Sequence, residues 1–164
     1  WSSDVCSSDL MAIFTGKHLH TIDEKNRLAI PSSIRKCMDE DTEGNGFFVT
    51  PGLDKCLALY TPLHFKAISE KYNEQASTNR KARNFQRHFF SNSKKVDCDK
   101  QGRISIDPKH IDYADLKKDV VIVGVMDRIE IWDKQSWDEV EAGNSENFEN
   151  DAEDLFRLGS VPSL

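Results

Sequence analysis

Asp23-Glu24-Lys25-Asn26-Arg27-Leu28-Ala29-Ile30-Pro31 returns 76 residues later, from Asp99, as Asp99-Lys100-Gln101-Gly102-Arg103-Ile104-Ser105-Ile106-Asp107. The two stretches share the leading aspartate, the turn residue, the arginine and the apolar alternation that follows, and their surroundings agree too. Leu57-Ala58-Leu59-Tyr60 corresponds to Ile129-Glu130-Ile131-Trp132, and Phe65 and Trp137 each follow five residues after the closing aromatic. Turn chemistry, apolar alternation and aromatics recurring in one order mark an internal repeat.

Each copy has a readable local shape. An extended segment (His18 to Ile22, Val96 to Cys98) runs into a tight turn. A strand follows in which Leu28 and Ile30, or Ile104 and Ile106, face one side while Ala29 or Ser105 faces the other. The turn-forming residues are Asp23 and Asn26 in the first copy and Asp99 and Gly102 in the second. Asn and Gly are the residue types that most easily take positive φ, so exchanging one for the other preserves the backbone. The two aspartates are expected to bind turn N–H groups rather than nucleic acid, because phosphate repels a carboxylate.

A short helix is expected next, with Pro31 or Pro108 in its first turn and Ile34 and Met38 on one face. Two apolar strands follow in each copy, Phe47 to Thr50 with Leu57 to Tyr60, then Val120 to Gly124 with Ile129 to Trp132. Thr61-Pro62 and Asp133 are suited to starting helices. The first helix is expected to reach about Gln75, with Phe65, Ile68 and Tyr72 on its buried stripe. Ser77 is read as the cap of a second connecting helix that buries Ala82, Phe85 and Phe89 and carries Arg80, Lys81, Arg83 and Arg87 on the other face.

Domain limits follow: repeat 1 over 17–63, connecting helices over 64–92, repeat 2 over 93–136, and an acidic tail over 143–164. The tail is Asn-rich and poor in large apolar residues, which predicts disorder. Residues 1–10 share no pattern with the rest and read as a non-native leader, with Met11 as the start. Cys37, Cys56 and Cys98 are scattered, as in a reduced cytosolic protein. His18-x-His20 has no Cys or carboxylate at ligand spacing, so no metal is expected.

The chain has 164 residues and a net charge of -6, a pI near 5.4 and a mean hydropathy of -0.60. Its charge is unevenly placed. Asp138 to Leu164 carries eight acidic residues and one arginine, a net of -7. Arg80 to Arg103 carries eight basic residues against two aspartates, a net of +6. Local charge decides whether phosphate is attracted, so the acidic pI does not exclude nucleic acid.

Met11-Ala-Ile-Phe-Thr-Gly16-Lys17-His18 resembles the opening of MraZ proteins. The two Asp-x-x-x-Arg stretches resemble their paired signatures, and Thr50 to Leu57 and Val123 to Trp132 resemble the matching later segments. The likeness covers about Met11 to Val140. It implies an α+β fold of two tandem AbrB-like (SpoVT-AbrB) swapped-hairpin repeats forming one pseudo-symmetric β-barrel with flanking helices. It also implies closed ring homo-oligomers, binding of double-stranded DNA at direct repeats upstream of the division and cell-wall gene cluster, and a cytoplasmic, nucleoid-associated location. No cofactor and no small-molecule ligand are implied. The departures are Asn26 for Gly, Asp107 for Pro, and His110-Ile111 where Leu-Arg is usual, so the second copy lacks a counterpart of Arg35.

The expected DNA contacts are Lys25 and Arg27, then Lys100 and Arg103, with Arg35 and Lys17 as further phosphate contacts. Arginine can grip guanine or phosphate with two parallel hydrogen bonds, whereas lysine supplies a point charge. The competing reading for Arg27 and Arg103 is a structural ion pair with the nearby aspartate. Because Arg35 follows the first motif and Asp107 the second, the first loop is expected to dominate. Two other classes compete with this reading: an antitoxin whose acidic tail wraps a partner, and a self-processing enzyme. The latter needs a Gly-Ser point in a strand-linking loop, but Gly159-Ser160 lies in the tail and no nucleophile, base and orienting group fall together. The chain is therefore not expected to be an enzyme.

Overall fold

The structure is a computed structural model that describes residues 11–38, 44–74, 78–159 and 162. It divides into two units, residues 1–133 and 134–164.

In the first unit, strands β1 (Lys17–Thr21), β2 (Arg27–Ala29), β3 (Gly46–Pro51) and β4 (Leu57–Tyr60) belong to repeat 1. Strands β5 (Lys94–Asp97), β6 (Arg103–Ser105), β7 (Asp119–Val125) and β8 (Arg128–Asp133) are their counterparts in repeat 2. Short helices α1 (Ser32–Arg35) and α4 (Pro108–Tyr113) follow β2 and β6, and α2 (Pro62–Glu74) and α3 (Arg80–Ser91) connect the repeats. One sheet has the order β1-β7-β8-β4-β3-β5, and β2 and β6 form a separate ribbon. Every pairing is antiparallel. Among the described residues the larger sheet is open, with β1 and β5 at its ends, rather than closed into a barrel.

The pairing crosses between repeats. The first strand of repeat 1 lies on β7 of repeat 2, and the first strand of repeat 2 lies on β3 of repeat 1. An internal pseudo-twofold relates them. Leu28 pairs with its own counterpart Ile104, and Ala58 with its counterpart Glu130. On either side of that second pair, Leu57 faces Ile131 and Leu59 faces Ile129.

One core serves both repeats. Leu28, Ile30, Phe47, Val49, Leu57, Leu59, Ile104, Ile106, Val120, Ile122, Ile129 and Ile131 form a single buried cluster. Neither repeat could bury these side chains by itself, and burial of each contributes about 1.5–3 kcal/mol. All of β4 is buried because period-2 alternation puts Leu57 and Leu59 into that core while Ala58 and Tyr60 meet the helices. There Phe65, Ile68 and Tyr72 of α2 close on Phe89 and Phe90 of α3, and Phe65 stacks on Phe48 at 4.1 Å. Phe85 departs from its expected burial: it is 39% exposed, lying on Tyr72 and Phe89 at the edge of the cluster.

The caps differ in part from expectation. Thr61 Oγ1 accepts from the His64 amide at the start of α2. Asn79 caps α3, its Oδ1 accepting from the amides of Lys81 and Ala82; Ser77 and Gln75 lie outside the described residues. Asp133 accepts from the Lys117 amide at 3.1 Å.

The second unit is helical where composition predicts disorder. Helix α5 runs from Lys134 to Arg157, through most of the acidic segment. It has Gly143 as its only glycine and no proline. It carries the i,i+4 pair Lys134–Asp138 and the i,i+3 pair Asp154–Arg157. A helix closes its hydrogen bonds within itself and gains from such pairs, so a scarcity of core-forming residues does not by itself exclude one. No helix among the described residues is long and apolar enough to cross a membrane.

Candidate nucleic-acid interface

The two turns are built alike. In the first, Asp23 Oδ1 accepts from the amides of Lys25 and Arg27, both at 2.9 Å, and Oδ2 accepts from Arg27 Nε at 2.7 Å. In the second, Asp99 Oδ1 accepts from the amides of Gln101 (2.8 Å) and Arg103 (2.9 Å), and Oδ2 from Arg103 Nε at 2.8 Å. The backbone closes each turn as well: Asn26 N donates to Asp23 O and Gly102 N to Asp99 O, both at 3.0 Å. Asn26 and Gly102 take φ of 59° and 76°, as the turn requires.

These contacts hold each aspartate ionised. The Arg27 amide, then the Arg27 guanidinium and the Lys25 amide, lower the Asp23 carboxyl below its ordinary value. The Arg103 amide and guanidinium and the Gln101 amide do the same for Asp99.

The ion pair and an outward contact are compatible. Aspartate engages the Nε edge of each arginine, and the Nη nitrogens of Arg27 and Arg103 make no hydrogen bond or ion pair among the described residues. The β2–β6 ribbon gives the two arginines one direction. Arg27 stands opposite Ser105 and Arg103 opposite Ala29, so these four residues share the outer face. Leu28 and Ile104, on the inner face, have no exposed surface. Arg27 and Arg103 are diagonal neighbours, with Cα atoms roughly 7–8 Å apart by strand geometry. Lys25 and Lys100 project from the turns and are exposed.

Arg35 is where tertiary structure departs most from the sequence reading. It follows the first motif in sequence but lies on the second turn. Its Nε donates to Ile30 O at 3.0 Å, and Ile30 N donates to Gly102 O at 2.9 Å. A Cβ added to Gly102 would fall 2.6 Å from Arg35 Cζ. The mirror contact, Ile106 N to Asn26 O at 2.8 Å, ties the segment after β6 to the first turn. The swap therefore exchanges the neighbours of the two turns, which removes the reason for expecting the first loop to dominate. The signal was present in the sequence as a paired exchange: Asn26 for Gly102, and Ile111 for Arg35.

The remaining candidates stand apart. Lys17 opens β1 and pairs across to Val123, six residues before Asp23 and roughly 20 Å along the extended chain. Asp107 does not act on the turn as an unpaired charge, since it caps α4 through the Lys109 amide and pairs with Lys94 at 3.3 Å. His110 is buried, with Nε2 2.6 Å from Asn92 O. The basic residues of α3 are separated from the second turn by the length of β5.

A cavity of about 350 Å³ lies elsewhere in this unit, lined in part by Tyr60, Tyr72, Phe85, His88, Tyr113 and Arg128. Burial pushes the Tyr60 phenol and the neighbouring Cys56 thiol up to about 12. Both stay protonated at neutral pH, which removes them as nucleophiles.

The comparison with known proteins follows the same repeat. The family model described as "MraZ protein, putative antitoxin-like" matches residues 13–88 and again residues 89–158. These matches begin 76 residues apart, the offset that separates Asp23 from Asp99. The chain is also 41% identical over 146 residues to "Transcriptional regulator MraZ" of Finegoldia magna, across 89% of this chain and 99% of that protein. Duplicated turns, a duplicated family match and similarity along nearly the whole length agree: the chain belongs to the MraZ family.

Proposed function

We propose that this protein is a sequence-specific, DNA-binding transcriptional regulator that contacts DNA through its two aspartate-locked turns. The observation that carries this reading is the shared outer face of the β2–β6 ribbon, where both arginines stand with their Nη edges unpaired among the described residues. A two-stranded ribbon is one of the elements that fits the major groove, and arginine is the side chain best shaped for guanine O6 and N7. Pre-locking each guanidinium at Nε restricts its motion before DNA arrives, so less conformational freedom is lost on binding.

The proposal assigns Arg27 and Arg103 to base edges or phosphates, Lys25 and Lys100 to phosphates, and Asp23 and Asp99 to the turns. It places Arg35 beside the second turn and leaves Lys17 as a peripheral phosphate contact. The family relationship supports the finer features: a ring homo-oligomer acting in the cytoplasm at the nucleoid, on direct repeats upstream of the division and cell-wall gene cluster. The pseudo-twofold pairing supports two strand-exchanging halves as part of the same reading. A ring multiplies modest single contacts when operator spacing matches turn spacing.

The test is a mobility shift with DNA from upstream of the protein's own gene, comparing wild type with Arg27→Ala and Arg103→Ala at several salt concentrations. Loss of a specific arginine contact is expected to cost about 1–3 kcal/mol per copy. Salt-insensitive binding that survives in the double variant would refute the proposal.

A further inference from the structure

The two turns share a backbone but not a charge. Glu24 stands where the second turn has Lys100, Lys25 where it has Gln101, and Asn26 where it has Gly102. Asp23 to Arg27 therefore sums to zero, and Asp99 to Arg103 to +1.

Tertiary structure widens the difference. Arg35 lies against Gly102, fixed by its hydrogen bond to Ile30 O, which brings the second turn to +2. The pseudo-twofold counterpart of Arg35 is Ile111, an apolar side chain packed against the core. The first turn thus has no counterpart of the Arg35 cation. Gly102 is bound up with this arrangement, because a Cβ there would collide with the Arg35 guanidinium. At Asn26, whose pseudo-twofold counterpart of Arg35 is the uncharged Ile111, a side chain is present.

We infer that the second turn is the principal phosphate anchor of each subunit, with Arg35 from the first repeat as its third cation and Gly102 as the residue that makes room for it. This rests on the DNA reading proposed above and assigns unequal duties within it. The first turn, uncharged overall, contributes mainly the directional contact of Arg27. The second contributes that of Arg103 together with most of the counterion release, since each neutralised phosphate adds about 0.9 to the salt slope.

The experiment is a fluorescence anisotropy titration of the full chain with a labelled duplex from upstream of its own gene, between about 50 and 200 mM salt. Arg35→Ile is expected to lower the salt slope by about 1 per engaged subunit. Arg35→Lys, which keeps the charge and loses the Nε bond, is expected to retain the slope. A purely structural Arg35 would lose affinity in both variants with the slope unchanged. Asn26→Gly combined with Ile111→Arg copies the second turn into the first and is expected to raise the slope. Arg103→Ala is expected to reduce the slope more than Arg27→Ala, a comparison that stands even where an Arg35 variant does not fold. An unchanged slope in Arg35→Ile, or a larger loss in Arg27→Ala than in Arg103→Ala, overturns the inequality while leaving DNA binding intact. Binding that none of the arginine variants alters overturns the DNA reading itself.

Discussion

Leu28 and Ile104 hold the same position in the two repeats and stand directly opposite each other in the β2–β6 ribbon, each with no exposed surface. The outer face of that pair carries the two arginines, so packing beneath the ribbon fixes the geometry above it. Leu28→Ala or Ile104→Ala should each cost about 2–5 kcal/mol, because a cavity opens where the surroundings cannot collapse. Since the two residues are in contact, the double variant should depart from additivity by about 0.5–3 kcal/mol. Urea denaturation measures both, and additive losses below about 1 kcal/mol would mean the ribbon is not held through this pair.

The turns should be insensitive to pH across the neutral range. The Asp23 and Asp99 carboxyls are lowered from their ordinary 3.8 by the amides they accept from. A depressed folded value contributes stability above the unfolded value, and that contribution is lost as pH falls through the folded one. The Arg27 and Arg103 amide resonances should hold steady from pH 8 down to about 5 and move only below 3.8. A titration midpoint at or above 3.8 would show that the carboxylates do not bind these amides. Asp99→Asn should leave the turn's backbone in place but release the Arg103 side chain.

Asn79 is the N-cap of α3, holding two amides that otherwise have no acceptor within the helix. Asn79→Ala should destabilise the protein by about 1 kcal/mol, and Asn79→Asp should restore most of it. Thermal unfolding followed by circular dichroism compares the three proteins; an unchanged midpoint in Asn79→Ala would place the cap elsewhere.

The cysteines should react in a fixed order. Cys37 is exposed, while Cys56 and Cys98 are buried. Burial pushes the Cys56 thiol up to about 12 and raises Cys98 as well. Because only the thiolate is nucleophilic, alkylation at pH 8 should mark Cys37 first and reach Cys56 and Cys98 only on unfolding. Peptide mapping by mass spectrometry reads the order, and early labelling of Cys56 would contradict its burial.

Much of the candidate site was legible because its contacts are local. Asp23 binds residues two and four positions ahead, as does Asp99, so the Asp-x-x-x-Arg pattern specifies the turn and its ion pair together. The strands and the Thr61 cap were readable for the same reason, since alternation and capping act over a few residues. Helical periodicity predicts burial of Phe85 because it gives a direction, whereas exposure depends on where the packed surface ends. Composition predicts a disordered tail because it reports the capacity to form a core, whereas helix α5 spans Lys134 to Arg157.

By itself the sequence determined two copies of a locked basic turn, each followed by a strand with one apolar face. Only the tertiary structure decided that the copies exchange strands, that Leu28 meets Ile104, and that Arg35 lies against Gly102 rather than beside the turn that precedes it. Hydrogen bonds within a turn are fixed by neighbours a few residues away. A contact between Arg35 and Gly102, 67 residues apart in the chain, exists only once both repeats have closed over one core.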